Sequence, residues 1–428
     1  MEKSGIVKFE DRMEQIYKIA KMNGGTVSYR VVVDTLKDKN SEITIEEIEE
    51  AINRIKSADI EIVMPEEEEG YDDNAVESPQ FIPADVNITP RNITVDSIID
   101  RLKHDEIDLA PKFQRRGGLW TRVQQSRLIE SLMLKIPLPT FYFDASDEDK
   151  WIVIDGLQRL TAFDNFMVLK NLKLEGLEYL KEFEGCNFEE LPRQYYRRIK
   201  ETQITIYTVE KGTPDDIVFN IFKRINTGGL VLTSQEIRHA LYQGTATELI
   251  NELAQEKIFK IVTGNSLSEE RMADREYVTR FIAFTELDYR LDYKGNIDSF
   301  LTKALKRINA YEKKDINKEC KRIHQNFIRI LEYCYKIFGK YAFRRVNSEY
   351  RRGPINKAIF ELWSICFNRL GQSELDYLVK KKEMVLDSFI DLLSDKDFVS
   401  AIKSGDKYSV ESRVTKAEKM LGEIINGK

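Results

Sequence analysis

Trp151-Ile152-Val153-Ile154-Asp155-Gly156-Leu157-Gln158-Arg159-Leu160-Thr161-Ala162 is the stretch whose reading decides the fold of this 428-residue chain. The apolar, partly β-branched start predicts a short buried strand. Asp155-Gly156 predicts a tight turn, and Leu160, Phe163, Phe166 and Met167 predict a helix directly after it. A helix that opens on such a turn offers amides with no intrahelical partner and the positive end of its dipole, which suits a phosphate. Gly156 would let backbone approach a ligand closely. Gln158 and Arg159 add donors in the first turn, the guanidinium as a planar fork that matches phosphate oxygens. The same pattern also reads as an Asp-capped helix with a surface arginine, because strand–turn–helix units are common.

Working outward, residues 124–134 predict a helix on Leu128, Ile129, Leu132 and Met133. Phe141-Tyr142-Phe143 and residues 203–209 read as strands, and residues 215–224 as a helix on Val218, Ile221, Phe222 and Ile225. Two further polar stretches stand out. Phe113-Gln114-Arg115-Arg116-Gly117-Gly118-Leu119-Trp120 is a basic loop that would close over a nucleotide or touch a nucleic-acid backbone, or else a solvated turn anchored by Trp120. Phe222-Lys223-Arg224-Ile225-Asn226-Thr227-Gly228-Gly229-Leu230 is a turn calling for positive φ, and Thr233 with Glu236 forms a capping box before the next helix. A helix–turn–helix connector accounts for most of that stretch, though not for Arg224, Asn226, Glu236 and Arg238 lying so close together.

The chain is too long for one ordinary domain. Residues 1–64 predict a small helical module, with Met13, Ile16, Tyr17, Ile19 and Ala20 on one face, Gly24-Gly25 as a stop, a Thr44/Glu47 capping box, and an extended tail at 60–63. Residues 65–92 hold Pro65, Pro79, Pro83, Pro90 and the run Glu66 to Glu69, and predict an acidic linker. Residues 93–244 mix helix and strand, and 245–428 predict an α-helical domain, which makes the fold class α+β. From Glu42 to Glu77 there are 14 Asp/Glu against Arg54 and Lys56, a charge of about −12 in a chain of net −6, so the rest carries about +6. Such a module is either a solvated acidic appendage or an occupant of a basic surface.

Composition excludes other classes. With 42% hydrophobic and 32% charged residues, and no apolar run of membrane-spanning length, a soluble cytoplasmic protein is expected. Cys186, Cys320, Cys334 and Cys366 are too scattered for a disulfide scaffold or a zinc site. His104, His239 and His324 are the only histidines, none in a pattern that fits an HNH nuclease, and no side-chain metal site is expected.

Taken together, Gln114-Arg115…Trp120, Leu128-Ile129-Glu130-Ser131-Leu132, Pro137-Leu138-Pro139, Asp155-Gly156-Leu157-Gln158-Arg159-Leu160-Thr161 and the run from Phe222 to Arg238 resemble the N-terminal domain of the GmrSD-type modification-dependent restriction endonucleases, also described as ParB/sulfiredoxin-like. The resemblance spans roughly residues 93–245 and departs at Leu157, where the family usually has a Gln. It implies a ParB-like α/β core that binds and hydrolyses a nucleoside triphosphate of unknown base, with Mg2+ as its companion ion. It implies catalytic Asp155, Gln158 and Arg159. The nucleotide site would be built from Asp155, Gly156, Gln158, Arg159 and Thr161, with Gln114, Arg115, Arg224, Asn226 and Gly228 as neighbours. The family's role is nucleotide control of DNA cleavage in anti-phage defence, the cut being made by an HNH domain or a separate nuclease subunit. A non-catalytic DNA- or transcription-associated module, and a metal-dependent ParB-like nuclease using Asp155 and Glu236, are the alternatives. Residues 13–75 also resemble the acidic N-terminal region of housekeeping sigma factors, which implies RNA polymerase as a further partner beside DNA. Self-association into a homo-oligomer is left open.

Overall fold

The computed structural model describes residues 2–22, 26–36, 50–63 except 53, 56 and 59, 87–109, 120–225, 232–269 and 271–427. Two units divide the chain: 78–243 with 270–272, and 1–77 with 244–269 and 273–428.

At the N-terminus, α1 (Glu2–Met22) is followed by β1 (Thr26–Ser28), α2 (Tyr29–Leu36) and β2 (Glu61–Val63), which pairs in parallel with β1. Met13, Ile16 and Ala20 are buried with Val27, Val32, Leu36, Ala51 and Ile55, while Tyr17 and Ile19 pack at the margin. The helical face read from the sequence is therefore the buried one, and the expected extended tail is β2. Gly24-Gly25 and the Thr44/Glu47 box lie outside the described residues.

The central unit is a five-stranded mixed sheet with helices on both faces. Its elements are β3 (Ile88–Thr94), α3 (Val95–Lys103), β4 (Ile107–Asp108), α4 (Arg122–Met133), β5 (Phe141–Asp144), β6 (Trp151–Asp155), α5 (Leu157–Phe163), α6 (Arg193–Glu201), β7 (Gln203–Val209), α7 (Asp215–Ile225) and α8 (Ser234–Leu241). The strand order is β3-β7-β5-β6-β4. β7 runs parallel to β5, β6 parallel to β4, and the other pairs are antiparallel. Alternation along each strand feeds two cores. Phe141, Phe143, Trp151, Val153, Ile204 and Ile206 join the larger one with α3, α4, α5 and α6. Ile154 and Val209 face the smaller one, with Val218, Phe219 and Phe222 of α7 and Ile237 of α8.

Residues 88–92, assigned to the linker on the strength of Pro90, instead form most of β3, whose register sets Pro90 opposite Tyr207. β3 is an edge strand, where a residue without an N–H is tolerated. The helix expected after β6 is present but ends in a π turn, Asp164–Val168.

The C-terminal part is mostly helical. Its members include α9 (Ala273–Glu286), α10 (Ile316–Phe338), α11 (Lys357–Arg369), α12 (Lys382–Leu392), α13 (Lys396–Ala401) and α14 (Lys407–Ile425). Deep among them both oxygens of Glu361 on α11 accept from Arg280 of α9 and Arg413 of α14, all three side chains at most 1% exposed. The expectation of an all-helical domain needs one correction. Arg344–Val346 (β8) and Arg352–Ile355 (β9) pair as an antiparallel hairpin, too short and too charged to show an apolar period. Among the described residues no helix is long and apolar enough to cross a membrane. The whole is α+β.

Candidate functional site at the end of strand β6

The turn after β6 is built around one left-handed residue. Gly156 has φ +102° and caps α5 with no side chain, so no cap side chain meets the amides of the helix's first turn. A Cβ at this position would stand 2.4 Å from Cδ1 of Phe141 and 3.3 Å from Nη2 of Arg159. The glycine is thus required twice over, by its φ and by the ring of β5 that closes on it.

Arg159 is turned inward, with only 10% of its side chain exposed. Nη1 donates to the carbonyl of Pro139. Nη2 donates to the carbonyl of Thr140 at 3.1 Å and to Oδ2 of Asp155 at 2.8 Å. The guanidinium also lies 4.2 Å from the centroid of the Phe141 ring. Burial pulls the guanidinium below its ordinary pKa, and the Asp155 carboxylate opposes that shift. Arg159 therefore clamps the chain entering β5 to the chain leaving β6. The sequence reading gave it a surface or a ligand as its partner; the structure gives it three acceptors from the protein.

Gln158 reaches sideways, and its Oε1 accepts from the Trp120 amide at 3.1 Å. Trp120 precedes Thr121, the N-cap of α4, and Gln125 of that helix donates to the Trp120 carbonyl at 2.9 Å while accepting from Asn165 at 2.9 Å. At the other end of the same loop, Asp108 stands beside Ile152 in the β4–β6 register. Gln114 and Arg115 themselves lie outside the described residues, as do Asn226 and Gly228. Leu157 is half-buried against the larger core. Thr161 donates back to the Leu157 carbonyl at 2.9 Å. Arg224 is exposed in the last turn of α7.

Glu236 closes the expected capping box. It accepts from the Thr233 amide at 2.6 Å, Thr233 Oγ1 accepts from the Glu236 amide at 3.2 Å, and Arg271 lies 3.2 Å from its carboxylate. Arg238 is buried at 1% exposure, bonded to Gln235 and 5.5 Å from the centroid of the Phe219 ring. Of the histidines in the chain, His104 is exposed and near the Asp100 carbonyl, His239 is buried in α8, and His324 lies between Glu252 and Glu256. Among the described residues no three His, Cys, Asp or Glu gather in a way that would hold a metal ion.

Several site-building residues escaped the sequence reading. Gln125 and Asn165 link α4 to the π turn. Asp164, in that turn, has its carboxyl pushed up by burial and then by the nearby Asp105 charge. Buried Glu130 accepts from the amides of Glu178, Tyr179 and Leu180. Burial opposes its ionisation, but those three bonds and Arg127 hold its carboxyl below the ordinary value. The only sequence signal was polar residues recurring on helix faces otherwise apolar.

Residues 95–243 match the family described as GmrSD restriction endonuclease, N-terminal domain. The match covers the central unit from α3 to the end of α8, including the β6–α5 turn. No curated protein and no solved structure matches the chain.

Proposed function

We propose that the central unit binds a nucleoside triphosphate at the β6–α5 turn and that the chain is the nucleotide-responsive component of a bacterial DNA-restriction system. The match over residues 95–243 supports the restriction role. The observation that carries the nucleotide reading is the turn itself: a left-handed glycine at the end of β6 opens a helix with no capping side chain. Its first-turn amides are the phosphate ligands in this reading. In this reading Gln114 and Arg115, between Asp108 and Trp120 in sequence, would join them, with Arg224, Asn226 and Gly228 as further neighbours. Arg159 positions the turn rather than meeting phosphate, since its donors already serve Pro139, Thr140 and Asp155. Mg2+ would arrive with the triphosphate, held mainly by phosphate oxygens and water. In this reading Asp155 and Gln158 would orient an attacking water.

Isothermal calorimetry of the full chain with ATP, GTP and CTP, in the presence of Mg2+, tests the reading. The expected result is binding of at least one nucleotide, weakened roughly ten- to a hundred-fold in Arg115→Ala by loss of a charge-assisted contact. Failure of the wild-type chain to bind any triphosphate would overturn it.

A second reading has an observation of its own. Gly156 and Arg159 both serve the fold itself, so the motif would persist in a DNA- or transcription-associated module that performs no hydrolysis. Nucleotide binding without turnover separates that reading from the first. The metal-nuclease alternative draws less support from the described residues, where the Asp155 carboxylate pairs with Arg159 and Glu236 caps its own helix.

A further inference from the structure

The β8–β9 hairpin carries Arg344, Arg345, Arg351 and Arg352 within nine residues. Beside it lies a cavity of about 470 Å³, floored by the end of α12 and by α13 at Leu393, Ser394 and Val399. The polar residues lining it are Arg345, Arg351, Arg352, Asn347, Ser348 and Ser394, and no Asp or Glu is among the described lining residues. That volume lies in the range of small-molecule sites.

The arginines here are held differently from Arg280 and Arg413 in the C-terminal helices. Arg280 and Arg413 share the Glu361 carboxylate, and Arg280 also pairs with Glu276. Arg344, 2% exposed, has only neutral acceptors: the carbonyls of Gly353 and Thr263 at 3.1 and 3.0 Å, and Ser266 Oγ at 3.3 Å. Burial and then the neighbouring Arg352 lower its pKa to about 10. Arg352, 7% exposed, donates to the Lys340 carbonyl at 2.8 Å. Arg345 is the decisive residue. Its Nε and Nη2 are buried with no hydrogen-bond partner, and it lines the cavity. Arg351, at the rim, is paired with Glu349 at 3.2 Å where both are exposed. Buried donors left unmet are costly, and like charges brought together out of water are costlier still. An oxyanion in the cavity would satisfy both.

We propose that the cavity beside the β8–β9 hairpin is a phosphate-binding site, with Arg345 and Arg351 as its principal ligands and a nucleotide or a nucleic-acid strand end as the source of the phosphate. Arginine forks match phosphate oxygens, and Asn347, Ser348 and Ser394 supply further donors. The site belongs to a different unit from the β6–α5 turn and stands whether or not that turn binds a triphosphate.

The test uses the full chain, with tripolyphosphate, ATP and a short single-stranded oligonucleotide with and without a 5′-phosphate as probes. Binding is read by calorimetry and by the rise in thermal midpoint at matched ionic strength. Arg345→Met and Arg351→Gln should each weaken tripolyphosphate binding roughly ten-fold or more. Arg345→Met removes a buried unmet charge, so its midpoint without ligand should equal or exceed that of wild type, which separates lost binding from lost folding. If only the 5′-phosphorylated oligonucleotide competes, the source is a strand end; if ATP alone competes, it is a free nucleotide. Tripolyphosphate binding that both arginine variants retain at wild-type strength overturns the proposal, as does a glutamate-rich peptide that binds the cavity more tightly than any phosphate probe.

Discussion

Replacing Arg159 by Ala should loosen the central sheet before it does anything to a ligand. The substitution withdraws the donors to Pro139, Thr140 and Asp155 and the guanidinium that lies on Phe141. The Asp155 side chain is 35% exposed, so water compensates much of its loss, leaving roughly 0.5–1 kcal/mol. The two carbonyls account for about 1–1.5 kcal/mol each. The ring contact adds roughly 0.5–1 kcal/mol. The total, about 3–5 kcal/mol, agrees with what removal of one partner from a buried ion pair costs.

Amide hydrogen exchange read by mass spectrometry localises the effect. Peptides covering β5 and β6 should exchange at least about a hundred-fold faster in Arg159→Ala, since about 3 kcal/mol of local stability corresponds to that factor. Peptides from α9, α11 and α14 should be unchanged. Arg159→Lys, which keeps a charge but loses the fork, should fall between. Unchanged exchange in β5 and β6, together with a ten-fold or greater loss of triphosphate binding, would refute the reasoning and return Arg159 to the role of a direct phosphate ligand.

Gly156→Ala should destabilise the same strands by about 2–4 kcal/mol, from a left-handed φ and a Cβ 2.4 Å from Phe141; chemical denaturation of the variant checks this. Glu361→Gln should cost about 3–5 kcal/mol by withdrawing the carboxylate that buried Arg413 and Arg280 share, Arg280 keeping only Glu276, read as a lower unfolding midpoint of the C-terminal helices. Glu276 is buried, which by itself would raise its pKa, but Arg280 and Lys357 hold the carboxyl far below its ordinary value of 4.5. A depressed folded-state pKa means the stabilisation is full above about pH 4.5 and is lost as pH falls below it, so Glu276→Gln should flatten the acid limb of the stability curve. Plasmid DNA incubated with this chain alone, Mg2+ and nucleotide should stay uncut; cleavage that disappears in Asp155→Ala would instead favour the nuclease reading. Because β3 begins at Ile88, removing residues 1–90 would cut the sheet, so the acidic segment is better tested by changing Glu66, Glu67, Glu68 and Glu69 to Gln in the full chain. If those charges shield a basic surface, DNA affinity should rise at low salt and the gain should shrink as salt rises; equal affinity at every salt concentration would leave the segment a docking site for another protein.

Where side-chain periodicity carried the signal, the sequence was legible. The buried face of α1, the strands at 141–144, 151–155 and 203–209, and the Thr233/Glu236 box follow from spacing, because the pleat and the helical turn dictate which neighbours share a face. Legibility failed at Pro90, where the meaning of a missing N–H depends on whether the strand lies at an edge. It failed at the β8–β9 hairpin as well, since Arg-Arg-Val and Arg-Gly-Pro-Ile have no apolar alternation to betray a strand.

Charged residues were least legible, for a reason specific to them. The energy of a guanidinium or carboxylate is set by what lies within a few ångströms of it, and those neighbours come from distant parts of the chain. Arg159 and Asp155 are four residues apart, yet the clamp depends equally on Pro139 and Thr140. Glu130, an unremarked position inside Leu128-Ile129-Glu130-Ser131-Leu132, organises a loop some fifty residues downstream. Arg280 and Arg413 find Glu361 across three helices, whereas Arg345 ends beside a cavity with two donors unmet. In sequence these arginines are equivalent. The difference between a structural clamp, a neutralised core pair and an anion ligand is made by the acceptors the fold brings to each. The acceptors of Arg159 all come from the protein and tie it to the fold, whereas Arg345 keeps two buried donors that only a ligand would meet.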